Sequence, residues 1–185
     1  KTDKLSDNLG VIEDYHKAII NDLFDKGDAI YKEIDILLGE LSWFLARNTS
    51  QRYNYVYDQI ICFGELLSTK IVSAYLSKIG IDNNWFDVRN YIKTDSNYRD
   101  AKVDWKLTQK IIAEKLDATK LNITQGFIAA NDTENTTTLG REGSDYTAGV
   151  FAYCLDAENV TIWKDVPGVL NADPRVFTET TLLEQ

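Results

Sequence analysis

The sequence contains few of the residues from which enzymes build a metal site or an activated nucleophile. Its 185 residues include one histidine, His16, and two cysteines, Cys62 and Cys154, which are far apart and show no C-x-x-C spacing. Zinc sites and Ser/His/Asp or Cys/His catalytic sets need several such residues together. The composition therefore argues against both classes, and we predict no metal-ligating residues. We expect the two cysteines to be free, buried thiols of a protein in a reducing compartment; a disulfide between them is the alternative.

Basic residues are in the minority, and long apolar runs are absent. The 20 Lys and Arg residues face 29 Asp and Glu, giving a formal net charge of -9, which argues against a nucleic-acid partner. No run approaches the ~20 apolar residues that a bilayer requires, and no secretory leader is visible. These absences predict a cytoplasmic protein with no membrane partner. Methionine is missing altogether and neither end carries a start or stop signal, so we expect a fragment cut at both ends.

The first half of the chain has helical periodicity. Hydrophobic residues make up 44% and charged residues 26% of the sequence, which is typical of a globular protein. Three apolar stripes with steps of three and four residues predict three helices between Val11 and Gly80. The stripes consist of Ile12, Tyr15, Ile19 and Leu23, then Ile30, Ile34, Leu37, Leu41 and Phe44, then Val56, Ile60, Phe63, Leu67, Ile71 and Ala74. Gly80 is predicted to close the third helix.

The second half alternates between short strands and helices. Strands are predicted at residues 84–88, 121–129 and 159–163, the second interrupted by Gly126, and helices at 105–116 and 144–155. Residues 131–138, rich in Asn and Thr, are interpreted as a loop. Alternating strands and helices are typical of an α/β protein with a mainly parallel sheet covered by helices.

Residues 136–148 are the most informative stretch for function. Gly140 and Gly143 permit tight turns, and Ser144 is predicted to be the N-cap of the helix that follows. A helix start presents free N–H groups that bind anions, and Arg141 adds a planar cation suited to a carboxylate or phosphate. The alternative, a solvated Gly-rich loop before a capped helix, is equally compatible with the residues.

Two further positions suggest a ligand site. Glu65 lies off the apolar stripe and beside Gly64, where a carboxylate could receive an ammonium group; an exposed helical glutamate is the alternative. Asp165 follows the predicted strand that ends at Trp163, and ligands bind at the carboxyl ends of strands in open α/β sheets. A plain loop with turns at Pro167–Gly168 and Asp173–Pro174 is the alternative there.

In order and spacing, these stretches resemble the aspartate kinases of the amino-acid kinase family, most of all the single-function, lysine-sensitive type. The resemblance covers almost the whole chain. It rests on GELLST at 64–69, WFDVR at 85–89, ITQGFI at 123–128, TTTLGR at 136–141, GSDYTA at 143–148, DVPGV at 165–169 and ADPR at 172–175.

The resemblance implies a fold, a reaction and a set of site residues. The fold is a three-layer α/β/α sandwich with a mainly parallel central sheet and a helical N-terminal half. The reaction is ATP-dependent, Mg²⁺-assisted phosphorylation of the side-chain carboxylate of L-aspartate, the first step of lysine, threonine and methionine biosynthesis. The full-length protein is expected to be a homo-oligomer. The implied substrate-binding residues are Thr2, Glu65, Arg141, Gly143, Ser144 and Asp145, and the implied ATP-binding residues are Lys164, Asp165, Leu170 and Arg175.

Arg141 would hold the substrate α-carboxylate and Glu65 the α-ammonium group. Gly143 and Ser144 would supply N–H donors from the helix start, and Asp145 would order the site. This combination favours an amino-acid zwitterion over a nucleoside monophosphate.

The sequence departs from the family pattern in several places. The Lys-Phe-Gly-Gly-Thr-Ser strand that carries the family's catalytic lysine is not in this sequence, and neither are the regulatory ACT domains. Residues 1–185 are therefore expected to be a truncated catalytic domain that is inactive alone. Lys164 stands where the family usually has Thr, and Leu170 where it often has Tyr. The alternatives are another amino-acid kinase of this fold, or a catalytically incompetent fragment that keeps the aspartate pocket.

Overall fold

Three helices form the N-terminal half, as the apolar stripes predict. The computed structural model describes residues 2–165 and 168–183, with side chains from residue 7 onward. The helices are α1 (Thr2–Leu23), α2 (Ala29–Arg47) and α3 (Tyr53–Lys78), and α2 contacts both of its neighbours. Gly80 follows α3 with a φ of 85°, a left-handed conformation that glycine adopts without strain. The predicted closing glycine is therefore confirmed.

The longest helix, α3, is apolar and 26 residues long, enough by length and composition to cross a membrane. Its contacts are those of a core helix, because it packs against α1, α2 and three strands. It buries Leu66, Leu67 and Ile71, together with the carboxylate of Asp58. One such helix is weak evidence for a membrane span, and we interpret α3 as the centre of a globular core.

The described residues of the second half form two short strand pairs and two α-helices. Strand β1 (Asn84–Trp85) pairs in parallel with β2 (Asn122–Ile123), and β3 (Ile128–Ala130) pairs antiparallel with β4 (Thr136–Thr138). A parallel bridge between Lys93 and Ala130 extends the sheet beside β3. The helices are α4 (Trp105–Lys115) and α5 (Gly143–Leu155), which pack against each other. The mixture of helix and sheet agrees with the predicted α/β class.

Several predicted strands differ from the structure. Residues 159–163 form no strand: among the described residues no partner accepts their backbone hydrogen bonds, and Trp163 is 90% exposed. The predicted strand 84–88 is only β1, because Val88 begins a short 3₁₀ helix. The predicted strand 121–129 is two strands, β2 and β3, separated by a turn in which Phe127 has a φ of 70°.

Residues 131–138 were predicted to be a loop, but their last three residues form the buried strand β4. Side chains of α3 satisfy its outer edge: the amide of Gln59 donates to the carbonyl of Thr136 at 2.7 Å and accepts from its N–H at 3.1 Å. The carboxylate of Asp58 accepts from the N–H and the hydroxyl of Thr138, both at 2.9 Å. Because these polar groups are all paired, a strand of three threonines can lie in the core.

Candidate functional site

The start of α5 is an open helix terminus. The helix begins at Gly143, and Glu142 precedes it in a left-handed conformation with a φ of 55° and no side-chain cap. The predicted N-cap at Ser144 is therefore wrong by two positions. The left-handed residues Gly140 and Glu142 turn the chain early, so Ser144 already lies in the first helical turn. The terminus keeps the N–H groups and partial positive charge that an anion requires.

A turn between β2 and β3 packs directly against this helix start. A Cβ added to Gly126 would lie 2.7 Å from the Cβ and 2.8 Å from the Cα of Ser144, and one added to Gly143 would lie 3.1 Å from the Cα of Phe127. The N–H of Phe127 donates to the hydroxyl of Thr147 at 3.0 Å, and that hydroxyl donates to the carbonyl of Gly143 at 2.9 Å. Glycine at 126 and 143 is therefore required by close backbone approach.

Glu65 is a half-buried carboxylate on α3. Burial raises the pKa of its carboxyl above the ordinary value, since a charged group loses solvation there. Within residues 7–165 and 168–183, no Lys, Arg or His forms an ion pair with it. A Cβ at the adjacent Gly64 would meet nothing within 4 Å, so the helix surface beside Glu65 is open. These properties differ from those of the fully exposed helical glutamate considered as the alternative.

Arg141 presents its guanidinium to solvent beside the start of α5. Its side chain is 88% exposed, and its closest carboxylate contact is the 3.9 Å approach of Nε to Glu142. Such an exposed, loose pair has little strength, so the guanidinium can form a new pair with a ligand carboxylate.

Lys164 connects the segment after α5 to the first turn of that helix. Its Nζ lies 2.7 Å from Asp145 and 3.3 Å from Glu142, and hydrogen bonds to these two carboxylates raise the pKa of Lys164. The structure therefore brings together Lys164, predicted beside the nucleotide, and Asp145, predicted to order the substrate site.

The other predicted nucleotide residues lie on an irregular segment. Asp165 is exposed, and Leu170 forms an antiparallel bridge with Leu182. Arg175 donates from Nε and Nη2 to Asp173 at 3.1 and 2.9 Å. These hydrogen bonds hold the pKa of Asp173 below its ordinary value, and the charge of Arg141 lowers it further. Arg141 is therefore close to this segment.

Two predicted features fall wholly or partly outside the described residues. Thr2 is the first residue of α1, but its side chain is not among those described, and the predicted turn at 167–168 includes Pro167, which is also outside them. Two of the open cavities among the described residues, of about 560 and 620 Å³, are lined mainly by α2 and α3, and neither is lined by residues of α5.

The comparisons with known proteins decide the family. Residues 2–185 match the family model described as the amino acid kinase family. The chain belongs to the amino acid kinase family. It is 35% identical over 162 residues to lysine-sensitive aspartokinase 3 of Escherichia coli K12, which covers 85% of this chain and 36% of that protein. It is 33% identical over 201 residues to a chloroplastic bifunctional aspartokinase/homoserine dehydrogenase 1 of Arabidopsis thaliana, covering 97% of this chain and 20% of that protein.

The solved structures agree with this family. The crystal structure of E. coli aspartokinase III in complex with aspartate and ADP superposes with a TM-score of 0.90 at 32% identity, covering all of this chain and 42% of that one. The expected α/β fold of the amino acid kinases is thereby confirmed. The chain spans little more than a third of the length of the first curated relative.

The described residues supply single carboxylates and no cluster that could hold a metal ion by itself. Across residues 7–165 and 168–183, no group of three or more His, Cys, Asp or Glu side chains could hold a metal ion. Mg²⁺ in kinase sites is usually held by one or two carboxylates together with substrate phosphates and water. Asp165, an exposed carboxylate on the segment predicted to bind the nucleotide, is a donor of the type that such an arrangement uses.

Sequence reasoning missed the buried polar residues that join the parts of this site. Gln125 is fully buried and Trp85 is half-buried, and both donate to the hydroxyl of Thr69, one turn beyond Glu65 on α3. Gln125 and Trp85 lie 56 and 16 residues from Thr69 in the chain. No local periodic pattern marks Thr69, Gln125 or Trp85. The sequence signal that could have identified them is that all three lie inside the family motifs.

Proposed function

We propose that this chain is part of an aspartate kinase, which transfers the γ-phosphoryl group of ATP to the side-chain carboxylate of L-aspartate. The observation that carries the proposal is the half-buried carboxylate of Glu65, which has no cationic partner among the described residues. It lies on a helix tied through Gln125 to the turn that packs on the start of α5. An ammonium group from a ligand would neutralise it. The likeness to an aspartokinase solved with aspartate and ADP supports the same substrates here.

The substrate would be held at both of its α-substituents. Glu65 receives the α-ammonium group, and Arg141 binds the α-carboxylate through its planar guanidinium. The backbone N–H groups of Gly143 and Ser144 point from the start of α5 and stabilise negative charge. Asp145 is fixed by Lys164 and orders this turn, and Thr2 adds a further substrate contact.

The nucleotide would lie along residues 164–175. Lys164, Asp165, Leu170 and Arg175 form this side of the site in the proposal, with Lys164 connecting it to α5. A side-chain carboxylate oxygen of aspartate attacks the γ-phosphorus, the bond from that phosphorus to the bridging oxygen breaks, and ADP leaves with the electron pair. Mg²⁺ supplies charge neutralisation at the phosphates. Such a transfer depends on positioning and electrostatics more than on covalent help from the protein.

The biological setting follows from the reaction proposed. The product, 4-phospho-L-aspartate, is an activated acid that feeds lysine, threonine and methionine synthesis. We propose a cytoplasmic, homo-oligomeric full-length enzyme, of which residues 1–185 are the central part of the catalytic domain. The homologous aspartokinase 3 is lysine-sensitive by name, which makes lysine the first effector to test.

A coupled assay of ADP release by the full-length protein tests the proposal. With ATP and Mg²⁺ present, L-aspartate should support ADP release and L-glutamate should not. Release with glutamate alone would instead favour another amino-acid kinase. No release above the blank with aspartate would refute the proposed function.

A further inference from the structure

The hydroxyl of Thr69 is the meeting point of three separate parts of the chain. It donates to the carbonyl of Glu65 at 2.8 Å. It accepts from Nε2 of Gln125 at 2.8 Å and from Nε1 of Trp85 at 3.1 Å. A hydroxyl has one proton to donate and two lone pairs to accept with, so this group is fully used.

Gln125 extends the connection away from α3. It is fully buried, and its Oε1 accepts from the N–H of Val88 at 2.9 Å. The side-chain amide of Gln125 therefore needs an acceptor for its NH₂ group and a donor for its Oε1. Without the hydroxyl of Thr69, the NH₂ group of Gln125 would be left without this partner in the core, which disfavours the position that the side chain now holds.

The next residues carry the connection to α5. Gly126 follows Gln125 and packs so closely on Ser144 that no Cβ fits between them. Phe127 then bonds through its N–H to Thr147 of α5. A shift of Gln125 would therefore move the first turn of α5 relative to α3.

We propose that Thr69 is a positioning residue that sets the distance between Glu65 and the start of α5. This inference rests on the proposed function, in which Glu65 binds the positive group of an amino acid and the start of α5 binds its negative charge. Through Thr69, the carboxylate that receives the ammonium group and the helix terminus that receives negative charge keep one fixed geometry.

Variants of the full-length protein test this role with a control on the same helix. Thr69→Val removes the hydroxyl and keeps the shape, whereas Thr69→Ser keeps the hydroxyl. Ser73→Ala is the matched control, since Ser73 lies one turn further along α3 and its hydroxyl donates at 2.6 Å to Asn83, outside this network.

Amide hydrogen exchange in the absence of ligand measures the positioning itself. We expect Thr69→Val to speed exchange of the hydrogen-bonded amides of Phe127 and Tyr146 by about tenfold, with wild-type exchange in Thr69→Ser and Ser73→Ala. Unchanged exchange in Thr69→Val, or an equal increase in Ser73→Ala, would overturn the inference.

Steady-state kinetics measures the consequence for the substrate. The KM for aspartate should rise about tenfold in Thr69→Val while the KM for ATP stays within about twofold, and Thr69→Ser should restore it. Equal increases in both KM values would assign Thr69 a general structural role and overturn the inference. If wild type releases no ADP with aspartate, the proposed function fails, and hydrogen exchange still decides whether Thr69 positions α5.

Discussion

At the scale of single residues, Glu65 destabilises the ligand-free protein, and in the proposed complex it binds the ammonium group of the substrate. Its carboxyl is half-buried, and within the described part of the chain it has no cationic partner. A carboxylate in this state is destabilising until a cation arrives. Residues of this kind are often functional, because selection for stability alone would replace them.

Glu65→Gln in the full-length protein should reduce kcat/KM for aspartate by at least tenfold and leave the KM for ATP nearly unchanged. The amide keeps the size of the side chain and loses the ion pair, which is stronger in a partly desolvated pocket than at a surface. A dicarboxylic acid that lacks the α-amino group is the control, because it never forms the pair. Equal losses on aspartate and on this analogue would make Glu65 structural.

The same substitution should stabilise the ligand-free protein at neutral pH. Burial raises the pKa of Glu65 in the folded state, so between the ordinary and the raised pKa the folded protein holds this proton more tightly than the unfolded chain does. The free energy of unfolding therefore falls as the pH rises from the ordinary pKa through the raised one. Glu65→Gln removes this loss, so Tm at pH 7 should increase by about 1–2 °C, a small effect because the group is partly exposed. The gain should disappear at pH values below the ordinary pKa. Thermal scans at both pH values check this, and a pH-independent difference would contradict it.

Arg141→Ala should weaken aspartate binding without affecting the fold. The side chain is 88% exposed and makes only a 3.9 Å contact, so its loss should leave Tm within about 1 °C. Losing a charge-assisted pair with the α-carboxylate should cost about 1.5–3 kcal/mol, which is roughly a tenfold or greater rise in KM for aspartate. An unchanged KM for aspartate with impaired ATP binding would show that Arg141 serves the nucleotide.

At the scale of elements, the helices were predicted well, whereas the predicted strands had the wrong bounds and β4 was missed. An apolar stripe with a period near 3.6 is local information, so α1 to α4 could be predicted from their own residues. A strand depends on its partner. Three threonines at 136–138 are polar enough to indicate a loop, and they became buried β4 only because Asp58 and Gln59, about 80 residues away, satisfy them. Residues 159–163 have strand-like composition and no described partner.

The candidate site shows the same division. Glu65 and Arg141 were predicted as site residues from their residue types, their positions beside glycines and the family motifs, and their roles stay predictions. The N-cap could not be predicted, since two left-handed residues before Gly143 moved the start of α5. The bonds of Thr69 to Gln125 and Trp85 join distant segments, and no local pattern predicts them.

The close approach at the start of α5 predicts opposite effects for two Gly→Ala substitutions. Gly126→Ala would place a Cβ 2.7 Å from Ser144 and should destabilise the protein by about 1–3 kcal/mol. Gly149→Ala, in the interior of α5 with nothing within 4 Å, should stabilise it by about 0.5–1 kcal/mol. Urea denaturation of both variants measures these values. Similar effects at the two positions would show that the turn at 126 is not tightly packed.

At the scale of the whole molecule, the chain has the fold of one part of a longer aspartokinase chain. It superposes on an aspartokinase with a TM-score of 0.90 while covering 42% of that chain. The helical half supplies Glu65, the loop before α5 supplies Arg141, and the segment after α5 supplies the proposed nucleotide residues. All of the substrate-binding groups that we propose therefore lie within these residues.

The 185-residue chain on its own should not release ADP. The sequence contains no Lys-Phe-Gly-Gly-Thr-Ser segment, and the resemblance to aspartate kinases implies that this segment carries the lysine that neutralises the transferring phosphoryl group. The coupled assay on the purified chain, with and without aspartate, checks this against the full-length protein as the positive control. Turnover above the no-aspartate blank would show that the catalytic groups all lie within these residues.

The way in which α3 covers β4 also limits how the protein can aggregate. Both N–H groups and both carbonyls on the outer edge of β4 at Thr136 and Thr138 are occupied, by Gln59, by Asp58 and by the N–H of Ala101. An uncovered edge is a template on which other chains add strands and build fibrils. The side chains of Asp58 and Gln59 and the N–H of Ala101 already use the hydrogen-bonding groups of this edge, so a further strand has no free groups to pair with at β4.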